Sequence, residues 1–448
     1  MNLNIREIIY ETLYTLETTE RKSHLLIKDV LDKYDYLDSR DKAFFKRVTE
    51  GTLLHTITLN YVVNLYSKKP IEKCKPAIRV ILKMSVYQLL YMDKVPESAV
   101  INEAVKLTKK YSREEFCGFV NALLRKVSEK SSAWEETLEG LPAETRLSVK
   151  YSLPEWIVSM FKKEQEDYED LIKALSEIRP TCVTLTDAGR RDEVLSAWER
   201  DKVSYTVSKY DENTFLVSGF TGANNLYGFS EGLLIIRDES SMLAALCSGV
   251  KPLDDITVID VCAAPGGKTT TVAKRLDGSG RVISRDISEE KVGRIRENVE
   301  RLSLKNVECQ VYDATVFDES MEEKADVVIC DLPCSGLGVI ARKSDLRYKI
   351  SNETMKELCA LQRQILDVSQ RYVKPGGVLI YSTCTIHKAE NEKQVKYFLN
   401  NYPFKGDSIK PILPMLFERE RPEDYYVALR PDKDGTDGFF VARFVKDR

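Results

Sequence analysis

Histidine is close to absent from this chain: His24, His55 and His387 are its only three in 448 residues. So few histidines argue against a histidine-built metal centre or a Ser–His–Asp triad. Cysteine occurs ten times, but no two are spaced as CxxC, and they scatter from Cys74 to Cys384. Several sit inside apolar runs (Cys247, Cys262, Cys330), the pattern of reduced thiols rather than of a disulfide framework or a zinc site. No metal is expected. No apolar run approaches the roughly 20 residues of a membrane span, and the opening MNLNIREIIY has no apolar signal core. The expectation is a cytoplasmic protein with no membrane partner. Two phosphate-binding patterns are also missing. There is no GxGxxG, and a P-loop would need a glycine at 262, where Cys262 stands.

What is present describes a globular protein, 43% hydrophobic and 31% charged, and too long for one core of ordinary size. The net charge of −3 hides an asymmetry. Residues 1–130 hold 23 Lys and Arg against 17 Asp and Glu, and within 51–130 the count is 14 against 7. A basic excess in one segment fits nucleic-acid binding, although an ordinary solvated surface fits the charge count equally well.

Residues 1–130 read as helical. Ile5, Ile8, Ile9, Leu13 and Leu16 keep helical spacing, as do Ile78, Ile81, Leu82 and Val86. Residues 96–111 and 118–127 read as two more amphipathic helices, and a compact bundle is the expected fold. Residues 131–150 read as a polar connector. A small mixed segment follows, with a helix near 153–164 and strands at 181–186 and 214–219. From about 236, short apolar runs at 256–261, 280–286, 307–313, 325–331 and 377–383 alternate with helical stretches. That alternation predicts βαβ units and a parallel, doubly wound sheet, with ligands beyond the carboxyl ends of its strands. The expected domains are a helical bundle over 1–140, a small α/β segment over 141–235, and a Rossmann-like domain over 236–448.

The run VIDVCAAPGGKTT (258–270) is a strand, a tight glycine turn and a helix start, and helix starts favour negative groups. The next strand ends at Asp286, 20 residues past Gly266, placed to accept from a ribose; the one after ends at Asp313. A turn and two acids suit a nucleoside cofactor lacking a pyrophosphate, such as S-adenosylmethionine. Each acid alone could instead cap the following helix.

Two later strands each deliver a cysteine: VVICDLPCSG places Cys334 just past Asp331, and GGVLIYSTCT places Cys384. AAPGGKTT, DLPCSGLG and YSTCT, in that order, resemble the Nop2/Sun family of RNA cytosine-C5 methyltransferases. The helical N-terminal part, with SRDKAFFKRVTEGTL and GFVNALLRKV, resembles the antitermination factor NusB. Together they match the Sun/Fmu type, a NusB-like RNA-binding domain fused to a methyltransferase acting on 16S ribosomal RNA. The resemblance implies an S-adenosylmethionine site formed by Cys262, Ala263, Ala264, Pro265, Gly266, Gly267 and Lys268 with Asp286, Asp313 and Asp331. It implies Cys384 as the nucleophile, Cys334 as the thiol that assists release, and Asp331 at the base edge. Spacing alone does not rank the two cysteines. Methylation through a thiolate added to C6 would use all three groups.

The chain departs from the family in ARKSDLRY (341–348), where Ala341, Ser344 and Tyr348 break the pattern. Arg342, Lys343 and Arg347 are still expected to present cations to an RNA backbone. His387 reads as a loop residue. Transfer RNA remains open as the substrate in place of ribosomal RNA, and so does a NusB-like binding factor without catalysis. The second reading must explain why no catalytic element is lost. A monomer is expected.

Overall fold

The computed structural model describes residues 4–131, 133–220, 222–343 and 345–448. It divides into two compact units: one spans 1–176 together with 340–349, the other 177–339 together with 350–448.

The first unit is α-helical and is built around a large apolar core. Ile9, Phe45, Val48, Leu59, Ile81, Leu82, Val86, Leu124 and Val127 meet there, drawn from the helices Ile5–Thr18, Ser39–Leu54, Thr56–Tyr66, Pro76–Tyr91 and Cys117–Glu129. These are the stripes that the periodicity marks, closed on one another so that each apolar face is removed from water. Local chemistry sets the helix starts. Asn4 accepts from the Arg6 amide at 3.0 Å, and Asp38 accepts from the Asp41 amide at 2.7 Å.

The helical unit does not end at 140. Residues 131–150, expected as a polar connector, include the helix Ala143–Tyr151, whose Val149 joins the core. Its backbone is tied in as well: Thr58 donates to the Val149 carbonyl at 2.5 Å, and the Ile57 amide donates to the Ser152 hydroxyl at 2.9 Å. The polar surface of this helix concealed its inner face.

Residues 340–349 correct one expectation directly. Arg347 is not a surface cation, being 1% exposed. Its guanidinium donates to the carbonyls of Tyr151 at 3.0 Å, Ser152 at 3.3 Å and Ile340 at 3.0 Å, and burial lowers its basicity. Tyr348 does similar work, its hydroxyl donating to the Leu54 carbonyl at 2.9 Å. Lys343 is exposed and Arg342 is half-buried; Ser344 lies outside the described residues.

The second unit contains two sheets. In the small one, β1 (Thr181–Leu185), β2 (Ser204–Val207), β3 (Thr214–Ser218) and β4 (Leu234–Arg237) run in the order β2-β3-β1-β4, every pairing antiparallel. Val183, Trp198, Phe215 and Leu234 fill its core.

The large sheet comprises β5 (Thr257–Asp260), β6 (Arg281–Asp286), β7 (Val307–Val311), β8 (Ala325–Asp331), β9 (Val373–Thr383), β10 (Phe404–Gly406), β11 (Tyr426–Leu429) and β12 (Phe439–Lys446). Its order is β10-β12-β9-β8-β5-β6-β7, with β11 also on β12. From β7 to β9 the pairings are parallel, as expected; β10, β11 and β12 add an antiparallel edge that the alternation pattern did not foresee. Helices cover the parallel part, so β5 and β8 are buried on both faces and read as unbroken apolar runs. At the centre, β8 and β9 pair in register Asp331 to Ser382, which sets the two cysteine-bearing ends side by side.

Arg347→Ala removes the donor for three carbonyls at a buried position. It should destabilise the full chain by about 2–3 kcal/mol in denaturant unfolding. Unchanged stability with a weakened RNA affinity would instead return Arg347 to the surface.

Candidate active site

The site begins at the turn after β5. Gly266 has φ of +105°, a left-handed conformation that a side chain resists, and an added Cβ would press on Ile295 Cγ2 at 3.3 Å. This glycine lets the chain reverse directly into the helix Gly267–Arg275. The amide of Gly266 closes the turn onto the Ala263 carbonyl at 2.7 Å.

A cavity of about 160 Å³ opens at this turn. Cys262, Ala263, Ala264, Pro265, Gly267 and Lys268 line it, together with Asp331, Arg237 and Asn298. Burial pushes the Cys262 thiol well above its ordinary value, so it acts as wall rather than as reagent.

Lys268 carries the turn's charge. Its ammonium, 5% exposed, donates to Asp331 Oδ2 at 2.6 Å and to the Ser241 hydroxyl at 3.0 Å. The other oxygen of Asp331 accepts from the Ser382 hydroxyl at 2.8 Å. Asp331 is thus held from both sides, between the cavity and the strand that leads to Cys384.

Asp286 is nearly buried at the end of β6. Oδ2 accepts from the Ala264 amide at 3.0 Å; Oδ1 accepts from the Ile287 amide at 2.8 Å and from Lys291 at 2.9 Å. It braces the turn and does not itself line the cavity. Asp313 follows β7 and is exposed. Its Oδ1 accepts from the hydroxyl and amide of Thr315, bonds that hold its carboxyl below the usual range. Asp313 thus closes a local turn and caps no helix, unlike the alternative reading of it.

Sequence reasoning missed Asp260, the last residue of β5. It is fully buried and lines the cavity. Thr269 donates to its Oδ2 at 2.8 Å, while Oδ1 has no hydrogen-bond partner among the described residues. Desolvation pushes its carboxyl up to about 7, with Asp331 and Asp286 adding to the rise and Thr269 and Lys268 opposing it. Inside an apolar strand, one acid gives no sign that it faces a cavity. An orphaned carboxylate oxygen, a lysine–aspartate pair and a glycine turn at a helix start together suit a zwitterionic cofactor: the carboxylates meet its cationic groups and the helix start its anionic one.

The cysteines meet at the ends of β8 and β9. The sulfurs of Cys334 and Cys384 lie 3.3 Å apart, and both residues are partly exposed. Hydrogen bonding to Cys384, and then burial, push the Cys334 thiol well above its ordinary value; the Glu390 carboxylate adds to the rise. The loop after Cys334 returns tightly: the Gly338 amide donates to the Cys384 carbonyl at 3.1 Å, and the Gly438 amide to the Gly338 carbonyl at 2.9 Å. A Cβ at Gly338 would lie 1.9 Å from the Gly438 oxygen, so only glycine fits. His387, expected as a plain loop residue, is largely buried and lies 3.3 Å from Glu390. Among the described residues no cluster of ligands for a metal ion occurs, and no helix is long and apolar enough to cross a membrane.

The model of the family described as 16S rRNA methyltransferase RsmB/F matches residues 248–445, and that of the NusB family matches 3–129. A Bacillus subtilis (strain 168) protein named probable ribosomal RNA small subunit methyltransferase B is 33% identical over 451 residues, 99% of this chain and 99% of its own length. A Proteus mirabilis (strain HI4320) protein named ribosomal RNA small subunit methyltransferase B is 25% identical, covering 92% of each. The crystal structure of PH0851 superposes with a TM-score of 0.81 at 25% identity, over 100% of both chains.

Asp260 makes stability depend on pH. Its carboxyl titrates near 4 when unfolded and at about 7 when folded. Between those values the folded chain keeps a proton that the unfolded chain has lost. This contribution is therefore complete below pH 4, declines as pH rises and is gone above 7. Asp260→Asn should flatten that decline when denaturant unfolding is compared from pH 4 to 8. An identical pH dependence in the two proteins would show that Asp260 is not held protonated.

Proposed function

The chain belongs to the ribosomal RNA small subunit methyltransferase B family, and on that footing we propose that it transfers a methyl group from S-adenosylmethionine to C5 of a cytosine in 16S ribosomal RNA. The observation that carries the C5 assignment is the sulfur pair of Cys334 and Cys384, 3.3 Å apart at strand ends beside Asp331. C5 of cytosine is a poor nucleophile, and a methyltransferase aimed at a ring nitrogen or a ribose hydroxyl has no use for two thiols.

S-adenosylmethionine, when bound, supplies an electrophilic methyl sulfonium. The turn 262–268, Asp260 and Asp331 would hold it, with Asp286 keeping the turn in shape. Cys384 adds to C6 of the cytosine, so that the C4–C5 unit becomes enamine-like and C5 can take the methyl group. Asp331, fixed by Lys268 and Ser382, carries to N3 the proton that stabilises the adduct and takes it back when the product is released. Release then requires loss of the C5 proton and return of the C6–S electron pair to Cys384. Cys334 relays that proton: its thiol protonates the departing sulfur of Cys384 as it accepts the proton from C5. A thiol held above its ordinary value suits this role, because it stays protonated between turnovers and does not compete for C6.

The target base must be unpaired or turned out of its stack for a thiolate to reach C6. The helical unit is the proposed RNA-binding part. Its basic excess is partly spent internally: Arg79 and Lys83 both pair with Glu17, and Lys109 pairs with Glu114. The cations that remain, among them exposed Lys343, would contact phosphates.

Two substitutions separate the thiols. Cys384→Ala should form no covalent RNA complex and give no methylation. Cys334→Ala should still attack and transfer, then stall, leaving a nuclease-sensitive band of reduced mobility on denaturing electrophoresis. The reverse pattern would make Cys334 the nucleophile.

A further inference from the structure

Glu390 is fully buried, and no step of the transfer chemistry uses it. Four donors surround its carboxylate. Oε2 accepts from the Ser335 amide at 2.8 Å and from Gln362 Nε2 at 3.2 Å. Oε1 accepts from the Ser335 hydroxyl at 2.6 Å and lies 3.3 Å from His387 Nδ1. Ser335 immediately follows Cys334, and its hydroxyl also lies 2.8 Å from the hydroxyl of Thr385, which immediately follows Cys384. Gln362 donates as well to the carbonyl of Pro333, on the other side of Cys334, at 2.9 Å. Asn391 completes the second loop, accepting from Thr383 at 2.6 Å and donating to the Thr385 carbonyl at 3.0 Å. One carboxylate therefore gathers the backbone on both sides of Cys334 and joins it to the loop that carries Cys384.

We propose that Glu390 is the positioning residue of the cysteine pair: its carboxylate clamps the Cys334 loop to the Cys384 loop and sets a negative charge beside Cys334. This rests on the reading of the pair as nucleophile and release thiol. Four donors on one carboxylate define the sulfur separation far better than two loop ends would alone, since a buried polar network has few alternative arrangements. The charge has a second consequence. Cys334 responds to Cys384 and Glu390, and Tyr381 of β9, whose hydroxyl donates to the Glu390 carbonyl, faces the same cluster; His387 reaches the pair through Glu390. An anion beside Cys334 favours the protonated form of that thiol.

Glu390→Gln tests the charge with the least damage to the clamp. A glutamine can keep its oxygen toward the Ser335 amide and turn its NH2 toward the Ser335 hydroxyl and His387, both able to accept. In the full-length protein, iodoacetamide labelling of each cysteine, followed peptide by peptide by mass spectrometry between pH 6 and 10, should show the Cys334 midpoint about one pH unit lower than in wild type. Glu390→Asp, which keeps the charge, should stay closer to wild type. A Cys334 profile unchanged in Glu390→Gln, or shifted equally in both variants, would overturn the proposal. Should Glu390→Gln not fold, Ser335→Ala tests the clamp from its other end. Diamide should then close the Cys334–Cys384 disulfide several-fold more slowly than in wild type, and an equal rate would overturn the proposal. None of these readouts needs RNA. A failure of the methylation reading itself would show separately, as wild-type enzyme transferring no methyl group to 16S ribosomal RNA.

Discussion

A one-residue slip between β8 and β9 would dismantle the site. In the observed register Asp331 stands opposite Ser382, so the chain beyond β8 reaches Cys334 three residues later and the chain beyond β9 reaches Cys384 two residues later. Because side chains alternate across a strand, any odd shift would send Ser382 to the opposite face and take its hydroxyl from Asp331. The buried apolar runs of both strands fix this register, Val327, Val328 and Ile329 of β8 lying beside Val378, Leu379 and Ile380 of β9. The chemistry at the strand ends thus rests on hydrophobic packing several residues away.

From that pairing the site extends in two directions. Toward β5, Asp331 meets Lys268 and so the glycine turn and its cavity. Toward the loops, Ser335 and Glu390 hold the sulfurs together. Asp331 is the shared member, touching the cavity side through Oδ2 and the β9 side through Oδ1. The acids around it divide in kind. Asp286 is fully engaged by amides and a lysine, whereas Asp260 is buried with one oxygen unmatched and is pushed up to about 7. A strand-end carboxylate left incompletely satisfied is a place where a cationic ligand group completes the hydrogen bonding.

Much of this was legible in the sequence where a signal is local. The five apolar runs marked β5 to β9, the glycines at 266 and 267 marked the turn, and the two cysteines followed their strands. What escaped depended on partners far away in the chain. The antiparallel edge includes β10 and β11, strands of three and four residues that are too short to stand out as apolar runs. Arg347 sits in a cationic stretch like any surface loop, and only the three carbonyls that surround it explain its burial. Asp286 ends β6 and Asp313 stands two residues past β7, yet Asp313 closes a local turn with Thr315 while Asp286 braces the glycine turn. Glu390 stands just before the helix Glu392–Asn401, where an acid is ordinary, and its four donors come from three separate segments.

The central claim is that Cys384, and not its neighbour 3.3 Å away, bonds to the base. An RNA substrate carrying 5-fluorocytidine at the methylated position would trap the adduct, because fluorine replaces the C5 proton that elimination must remove. Digestion of the trapped complex with protease and nuclease, followed by tandem mass spectrometry, identifies the residue that holds the nucleotide. The account predicts the nucleotide on the peptide containing Cys384, with Cys334 unmodified; the nucleotide on Cys334 would contradict it.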